Sequence, residues 1–273
     1  MKLNKIKKVI PGFNTLSIHH GKSFAEETGC IMPPIFATST FKHGNAENFD
    51  YTRSGNPNFR ILADILKALE NSTYCTVFNS GISAVTAIAS SLKSGDKILC
   101  ESNLYGCTIR MFEKIFKKFD IKTFYYDFTD RDNIKKISEI NPTLIWLESP
   151  TNPLLKILNI QEICSEAKKK DIPVVVDNTF CTSMIQRPLE LGATISLIST
   201  TKLINGHSDA LGGAVLTNDE NWQEKMIFSQ KALGLHPSPF DCWLITRGLK
   251  TLPLRVEKQS KNAELISEEL LTN

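Results

Sequence analysis

The chain lacks the features that would set it apart from ordinary globular proteins. No apolar run approaches the ~18 residues that a membrane-spanning helix needs, so no bilayer span is expected. Charge of one sign is not in excess. Thirty-two Lys and Arg face 29 Asp and Glu, and the basic residues are spread along the chain, which argues against nucleic acid or an anionic membrane as partner. The densest basic run, Lys2 to Lys8, does not become a secretory signal, because Pro11, Gly12 and Asn14 interrupt it before an apolar stretch forms. Glycine and proline are scarce, 14 and 12 in 273 residues, which excludes collagenous and low-complexity classes.

The seven cysteines, Cys30, Cys75, Cys100, Cys107, Cys164, Cys181 and Cys242, include no C-x-x-C pair. Their spacing offers neither a metal site nor a disulfide framework and points to a reducing, cytoplasmic compartment. Asn71-Ser72-Thr73 fits a glycosylation acceptor formally, which carries no weight in that compartment. With 41% hydrophobic residues, the length suits one large domain or two modest ones.

The first fifty residues carry a Pro33-Pro34 pair and no helical or strand period, and read as an extended arm. From Asn58 to Glu70, Phe59, Leu62, Ile65, Leu66 and Leu69 recur at helical spacing, with Asn56-Pro57 as a start signal. A second helix opens after Ser80-Gly81 and is expected to stop at Gly95-Asp96. Beyond it, short apolar runs at 97–100, 122–126, 144–147, 174–176 and 195–198 read as strands. Helices or turns at 105–119, 130–140, 160–170 and 189–191 lie between or beside them. This alternation implies an α/β fold, a mostly parallel sheet flanked by helices on both faces. Ligands of such sheets sit beyond the carboxyl ends of the strands.

Two strand ends carry chemistry. Val174-Val175-Val176 runs into Asp177, and a second apolar run ends in Ser199-Thr200-Thr201-Lys202. Alone, the Asp reads as a turn cap and the Lys as a surface residue. Together they match the needs of pyridoxal-phosphate chemistry, in which a Lys forms a Schiff base and an Asp faces the pyridinium nitrogen. Ser80-Gly81 at a helix start would cradle a phosphate, since Gly allows close backbone approach and the helix N-terminus presents free N–H groups.

The motifs TLSIHHG (15–21), PPIFATSTF (33–41), YTRSGNPN (51–58), NSGISA (79–84), LYGCT (104–108), ESPTNP (148–153), VVVDNTF (174–180), QRPLELGA (186–193), STTKLINGHSDALGG (199–213) and RGLKTLPLR (247–255) follow in order. In them the chain resembles the Cys/Met-metabolism family of pyridoxal-phosphate enzymes, which includes cystathionine γ-synthase, cystathionine lyases and methionine γ-lyase. The resemblance implies a fold type I large domain and pyridoxal 5'-phosphate as cofactor. It also implies Lys202 as Schiff-base lysine, Asp177 as partner of the ring nitrogen, and Tyr105 stacked on the ring and able to exchange a proton with the incoming amine. Gly81, Ile82, Ser199 and Thr201 would bind the phosphate. Asn152 would lie by the ring oxygen and substrate carboxylate, and Tyr51 and Arg53 would reach the phosphate of a neighbouring subunit. A homodimer or homotetramer with shared sites follows, acting on a small amino acid without nucleic acid, membrane or metal.

Three positions depart from the family pattern: Ile82 for Met, Asn58 for Thr, which is expected to serve as a cap, and Leu203 for an aromatic residue. The expected division is an arm over 1–57, a cofactor domain over 58–254 and, from 255 to 273, the start of a C-terminal domain that would carry the substrate-carboxylate arginine. The implied reaction is at the γ-carbon of a homoserine ester or sulfur amino acid in methionine and cysteine metabolism. ESPTNPLLKILNI and GHSD favour cystathionine γ-synthase or a related lyase, whereas LYGCT and NTFCT favour methionine γ-lyase. Cys107 reads equally as a specificity residue or as a small buried helix residue. A cofactor-binding fragment without catalysis is the competing reading of another class. Ser199-x-x-Lys202 also fits penicillin-recognising acylases, but their S-D-N and K-T-G partners are lacking; the chain has Ser208-Asp209-Ala210 and Lys250-Thr251-Leu252.

Overall fold

The structure is a computed structural model and describes residues 11–21, 24 and 29–272. Among them the strands are β1 (Tyr74–Phe78), β2 (Lys97–Glu101), β3 (Lys122–Tyr126), β4 (Leu144–Glu148), β5 (Val174–Asp177), β6 (Ile195–Ile198) and β7 (Gly213–Thr217). They form one sheet in the order β1-β7-β6-β5-β4-β2-β3. β7 runs antiparallel to both its neighbours, and every other pair is parallel. The helices are α1 (Phe13–His19), α2 (Pro57–Glu70), α3 (Gly81–Ala89), α4 (Gly106–Lys114), α5 (Lys136–Ile140), α6 (Ile160–Lys168), α7 (Thr182–Ile185), α8 (Glu220–Ala232), α9 (Pro239–Leu249) and α10 (Leu252–Thr272).

The continuous apolar strands follow from burial on both faces. Along β4, Leu144 and Trp146 pack with Ile88 of α3, Phe112 of α4 and Met226 of α8, while Ile145 and Leu147 enter a second cluster with Ile163 and Ala167 of α6. The Trp146 indole meets Phe112 edge-on, with centroids 5.3 Å apart. A third cluster seats Leu62 and Leu66 of α2 and Ile245 of α9 on Val77, Ile198 and Leu216 of β1, β6 and β7.

The five expected strands are present, and α2 and α6 begin and end within two residues of their expected limits. Several expectations are corrected. The arm is not wholly irregular: α1 forms because Phe13 and Leu16 find apolar partners in the α2/α9 cluster, a tertiary gain that outweighs weak local propensity. α3 stops at Ala89, ahead of Gly95, where the Ser91 hydroxyl takes the Ile88 carbonyl at 2.6 Å. The segment 105–119 divides into α4 and a 3₁₀ turn at Phe116–Phe119, and 130–140 divides likewise into a 3₁₀ turn at Arg131–Lys135 and then α5. β1 and β7 were not expected as strands, and they carry the antiparallel side of the sheet.

Asn58 is not the cap of α2. Asn56 is: its side chain accepts the Asn58 N–H at 2.9 Å, with Pro57 at the first helical position. Asn58 is buried and ties the arm down, accepting the Phe36 N–H at 2.8 Å and donating to the Pro34 carbonyl at 2.9 Å. Replacing it by Ala leaves both groups of the arm without a partner, at a cost of about 1–3 kcal/mol. Asn58→Ala is therefore expected to lower the denaturation midpoint and to speed proteolysis within residues 30–50. An unchanged cleavage pattern would contradict this anchoring role.

Candidate active site

A cavity of about 240 Å³ lies at the carboxyl ends of β5 and β6, against the N-terminus of α3. Gly81, Ile82, Tyr105, Asn152, Asp177, Ser199, Thr201 and Lys202 all line it, so eight of the ten residues expected from the sequence share one cavity.

The α3 end is built by close approach. A Cβ on Gly81 would lie 2.7 Å from the Ser199 Cβ and 2.9 Å from its Oγ, and one on Gly213 would lie 2.3 Å from the Ser80 carbonyl oxygen. Glycine at both positions therefore lets the first turn of α3 press against the β6 and β7 ends. Ser80 caps the helix, accepting the Ser83 N–H at 3.1 Å, so the remaining first-turn N–H groups face the cavity end of the helix. Ser199 is fixed by its N–H, which donates to the Thr179 hydroxyl at 2.8 Å. The Thr201 hydroxyl donates to the Gly212 carbonyl at 3.1 Å and accepts the Gly212 N–H at 3.0 Å, closing the loop that carries Lys202.

Across the cavity, Asp177 ends β5 and is buried. It does cap the following turn, accepting the Thr179 N–H at 3.0 Å, and it lines the cavity at the same time. Burial raises its pKa and the Thr179 hydrogen bonds oppose that rise. Its register neighbour on β4 is Glu148, a residue that sequence reasoning passed over although it stands at a strand end within the ESPTNP run. Glu148 is buried, lines the cavity and accepts the Tyr105 N–H at 2.7 Å. Burial, and then the charge of Asp177, push its pKa up to about 8. Tyr105, half exposed as the residue before α4, has its phenol pKa raised chiefly by a hydrogen bond with Cys107. Cys107 itself is only partly buried, which corrects the reading of it as a buried helix residue.

The donor set fits pyridoxal 5'-phosphate. A buried carboxylate that joins no ion pair among the described residues suits a pyridinium N–H. A helix N-terminus with a glycine that a Cβ would obstruct suits a phosphate. The Thr108 hydroxyl, on the cavity wall, is buried without a hydrogen-bond partner among the described residues. Tyr51 and Arg53 do not reach this cavity within the chain. Arg53 lies 5.5 Å from the Tyr51 ring centre and donates to the Lys231 carbonyl at 3.0 Å. Among the described residues, no group of three His, Cys, Asp or Glu is placed to hold a metal ion, and no helix is long and apolar enough to cross a membrane.

The paired carboxylates give a pH signature. Folded, cofactor-free chain holds the Glu148 proton up to about pH 8, while the unfolded chain releases it near the ordinary 4.5. The folded state therefore binds more protons in that window, and its stability falls as pH rises through it. Glu148→Gln keeps an acceptor for Tyr105 but cannot ionise. Denaturant titrations are expected to show it gaining on the wild type, by on the order of 2 kcal/mol, between about pH 5 and about pH 8. Parallel curves for the two proteins would contradict the assignment.

The sequence model of the family described as Cys/Met metabolism PLP-dependent enzyme matches residues 14–273. The chain is 40% identical over 260 residues to a probable cystathionine gamma-synthase of Herpetosiphon aurantiacus, covering 94% of this chain and 82% of that protein. It is 42% identical over 270 residues to the cystathionine gamma-lyase of Homo sapiens, covering 96% of this chain and 66% of the relative. The fold superposes with a TM-score of 0.93 on the crystal structure of cystathionine gamma synthase from Xanthomonas oryzae pv. oryzae in complex with aminoacrylate and cysteine. That pair is 35% identical, and the match covers 97% of this chain and 70% of that one. With the fold, the cavity and the family match in agreement, the chain belongs to the Cys/Met-metabolism family of pyridoxal-phosphate-dependent enzymes.

Proposed function

We propose that the chain carries a trans-sulfuration site acting at the γ-carbon of a homoserine ester or sulfur amino acid, with cystathionine γ-synthase-like replacement as the leading reaction. The observation that supports this best is the convergence of Lys202 and Asp177, from separate strand ends, on one cavity bounded by the α3 N-terminus. When bound, pyridoxal 5'-phosphate supplies an electron sink for negative charge at the substrate α-carbon.

The chain's own residues would do the rest. Lys202 Nζ would hold the cofactor and, once free of it, would be placed to move protons between the α and β carbons of the substrate. Asp177 would face the ring nitrogen, where a cationic partner would keep it ionised and its charge would hold a proton on that nitrogen. The N–H groups of Gly81 and Ile82, with Ser199 and Thr201, take the phosphate. Tyr105 covers the ring and can exchange a proton with the amine, its backbone pinned by Glu148. Asn152, on the cavity wall, is assigned to the ring oxygen and the substrate carboxylate. In replacement the Cγ–O bond breaks, the ester group leaves as its carboxylate or phosphate, and a thiol sulfur bonds Cγ as its proton is lost. In elimination the γ-substituent leaves, no thiol adds, and water releases a keto acid and ammonia.

Elimination is the second reading, supported by the lyases among the relatives and by Cys107 beside Tyr105. Tyr51 and Arg53, which do not line the cavity of their own chain and are both exposed, are proposed to complete the phosphate site of a second copy in a dimer or tetramer.

Incubation with an O-acyl- or O-phosphohomoserine plus cysteine is expected to yield cystathionine, and faster than cystathionine alone is cleaved. Cleavage without replacement would move the assignment to a lyase, and bound cofactor with no product from either mixture would favour a binding protein. Mixing Arg53→Ala with Lys202→Ala protein is expected to restore part of whichever activity the wild type shows, up to about a quarter when one composite site in a dimer is intact. No recovery despite measured subunit exchange would remove the shared-site proposal.

A further inference from the structure

Lys202 stands on a loop between β6 and β7 that makes helix-like turns and stops. Asn205 N–H donates to the Thr200 carbonyl at 2.9 Å and Gly206 N–H to the Lys202 carbonyl at 2.8 Å. The carbonyls of Leu203 and Ile204 fall at the end of these turns, where a continuing helix would have supplied their N–H partners. One side chain meets both. Arg255, early in α10, donates from Nη1 to Leu203 O at 2.7 Å and from Nη2 to Ile204 O at 3.2 Å. The same guanidinium reaches Gly248 O at 2.9 Å and, through Nε, the Thr251 hydroxyl at 3.0 Å.

The backbone is shaped to admit this fork. A Cβ on Gly206, whose φ is +72°, would lie 2.0 Å from Arg255 Nη1, and a Cβ on Gly248 would lie 2.2 Å from Asn205 O. Two glycines thus let the lysine loop and the α9–α10 junction touch, and a planar, rigid donor set ties them together. A lysine at 255 would keep the charge but would present a single ammonium in place of the fork.

We propose that Arg255 is a positioning residue for Lys202: by fixing the two carbonyls that follow the lysine, it holds the lysine backbone where Nζ can bond the cofactor aldehyde. The proposal rests on the reading of Lys202 as the residue that bonds the cofactor. It makes the placement of that lysine depend on α10, a helix outside the sheet.

Pyridoxal 5'-phosphate and pyridoxamine 5'-phosphate share ring and phosphate, and only the first can bond a lysine, so their affinities separate positioning from general damage. With the full chain, Arg255→Lys and Arg255→Ala are expected to lose on the order of tenfold in affinity for the aldehyde while the amine form changes by about twofold or less. The bound aldehyde's absorbance is expected to move from the visible towards the near ultraviolet. Equal losses for both ligands, or no loss in either variant, overturns the proposal. Arg255→Lys, which retains stem and charge, carries the test if Arg255→Ala does not fold. Lys202→Ala run in parallel is expected to abolish the preference for the aldehyde. If it does not, the lysine reading itself fails, and the Arg255 proposal fails with it.

Discussion

The site depends on a backbone approach that only glycine permits. At Gly81 and Gly213 the first turn of α3 meets the ends of β6 and β7 so closely that a single methyl group at either position would overlap its neighbour. That contact sets the N–H groups of α3 beside Ser199, at the head of the loop that carries Lys202. It also brings a helix N-terminus and a lysine to one cavity, where both could act on a single ligand without any long side chain bridging them. The sheet serves this contact: with both faces buried in apolar clusters, the strand ends are rigid points from which Asp177, Glu148 and Ser199 project.

Electrostatics places the two carboxylates in different roles. Glu148 and Asp177 are register neighbours, and two buried negative charges so close do not coexist readily. The neutral form of Glu148 lets Asp177 face the cavity as the anion, while Glu148 still accepts the Tyr105 N–H and so fixes the start of α4. A cationic ring nitrogen would supply the counter-charge that Asp177 lacks among the described ion pairs, and affinity for such a ligand would then be linked to the ionisation of the strand-end pair.

Much of this was legible in the sequence for physical reasons. Strands such as Leu144–Glu148 and Val174–Asp177 announce themselves because burial on both faces makes them apolar throughout, and Asp177 then stands out as the first polar residue. β1, with Tyr74, Cys75 and Thr76 half-polar, and β7, opening on Gly213, lack that signal: β1 gains its strand character from pairing with β7 about 140 residues away, and β7 from antiparallel pairing with both β1 and β6. α1 was hidden by Pro11 and Gly12, because its helix is decided by contacts made far along the chain. Glu148 carried the same strand-end signal as Asp177, but only the register shows that the two are adjacent. The work of Asn58 and Arg255 was unreadable, because each acts by bonding backbone carbonyls or N–H groups of a distant segment, and such groups leave no mark in a sequence.

The central claim is that Lys202 forms the covalent bond to the cofactor in this cavity. Reduction of the cofactor-loaded chain with borohydride, followed by proteolysis and mass spectrometry, tests it directly. One phosphopyridoxyl group is expected, on the peptide containing Lys202. A label on another lysine, or no label on a chain that demonstrably holds the cofactor, would contradict it.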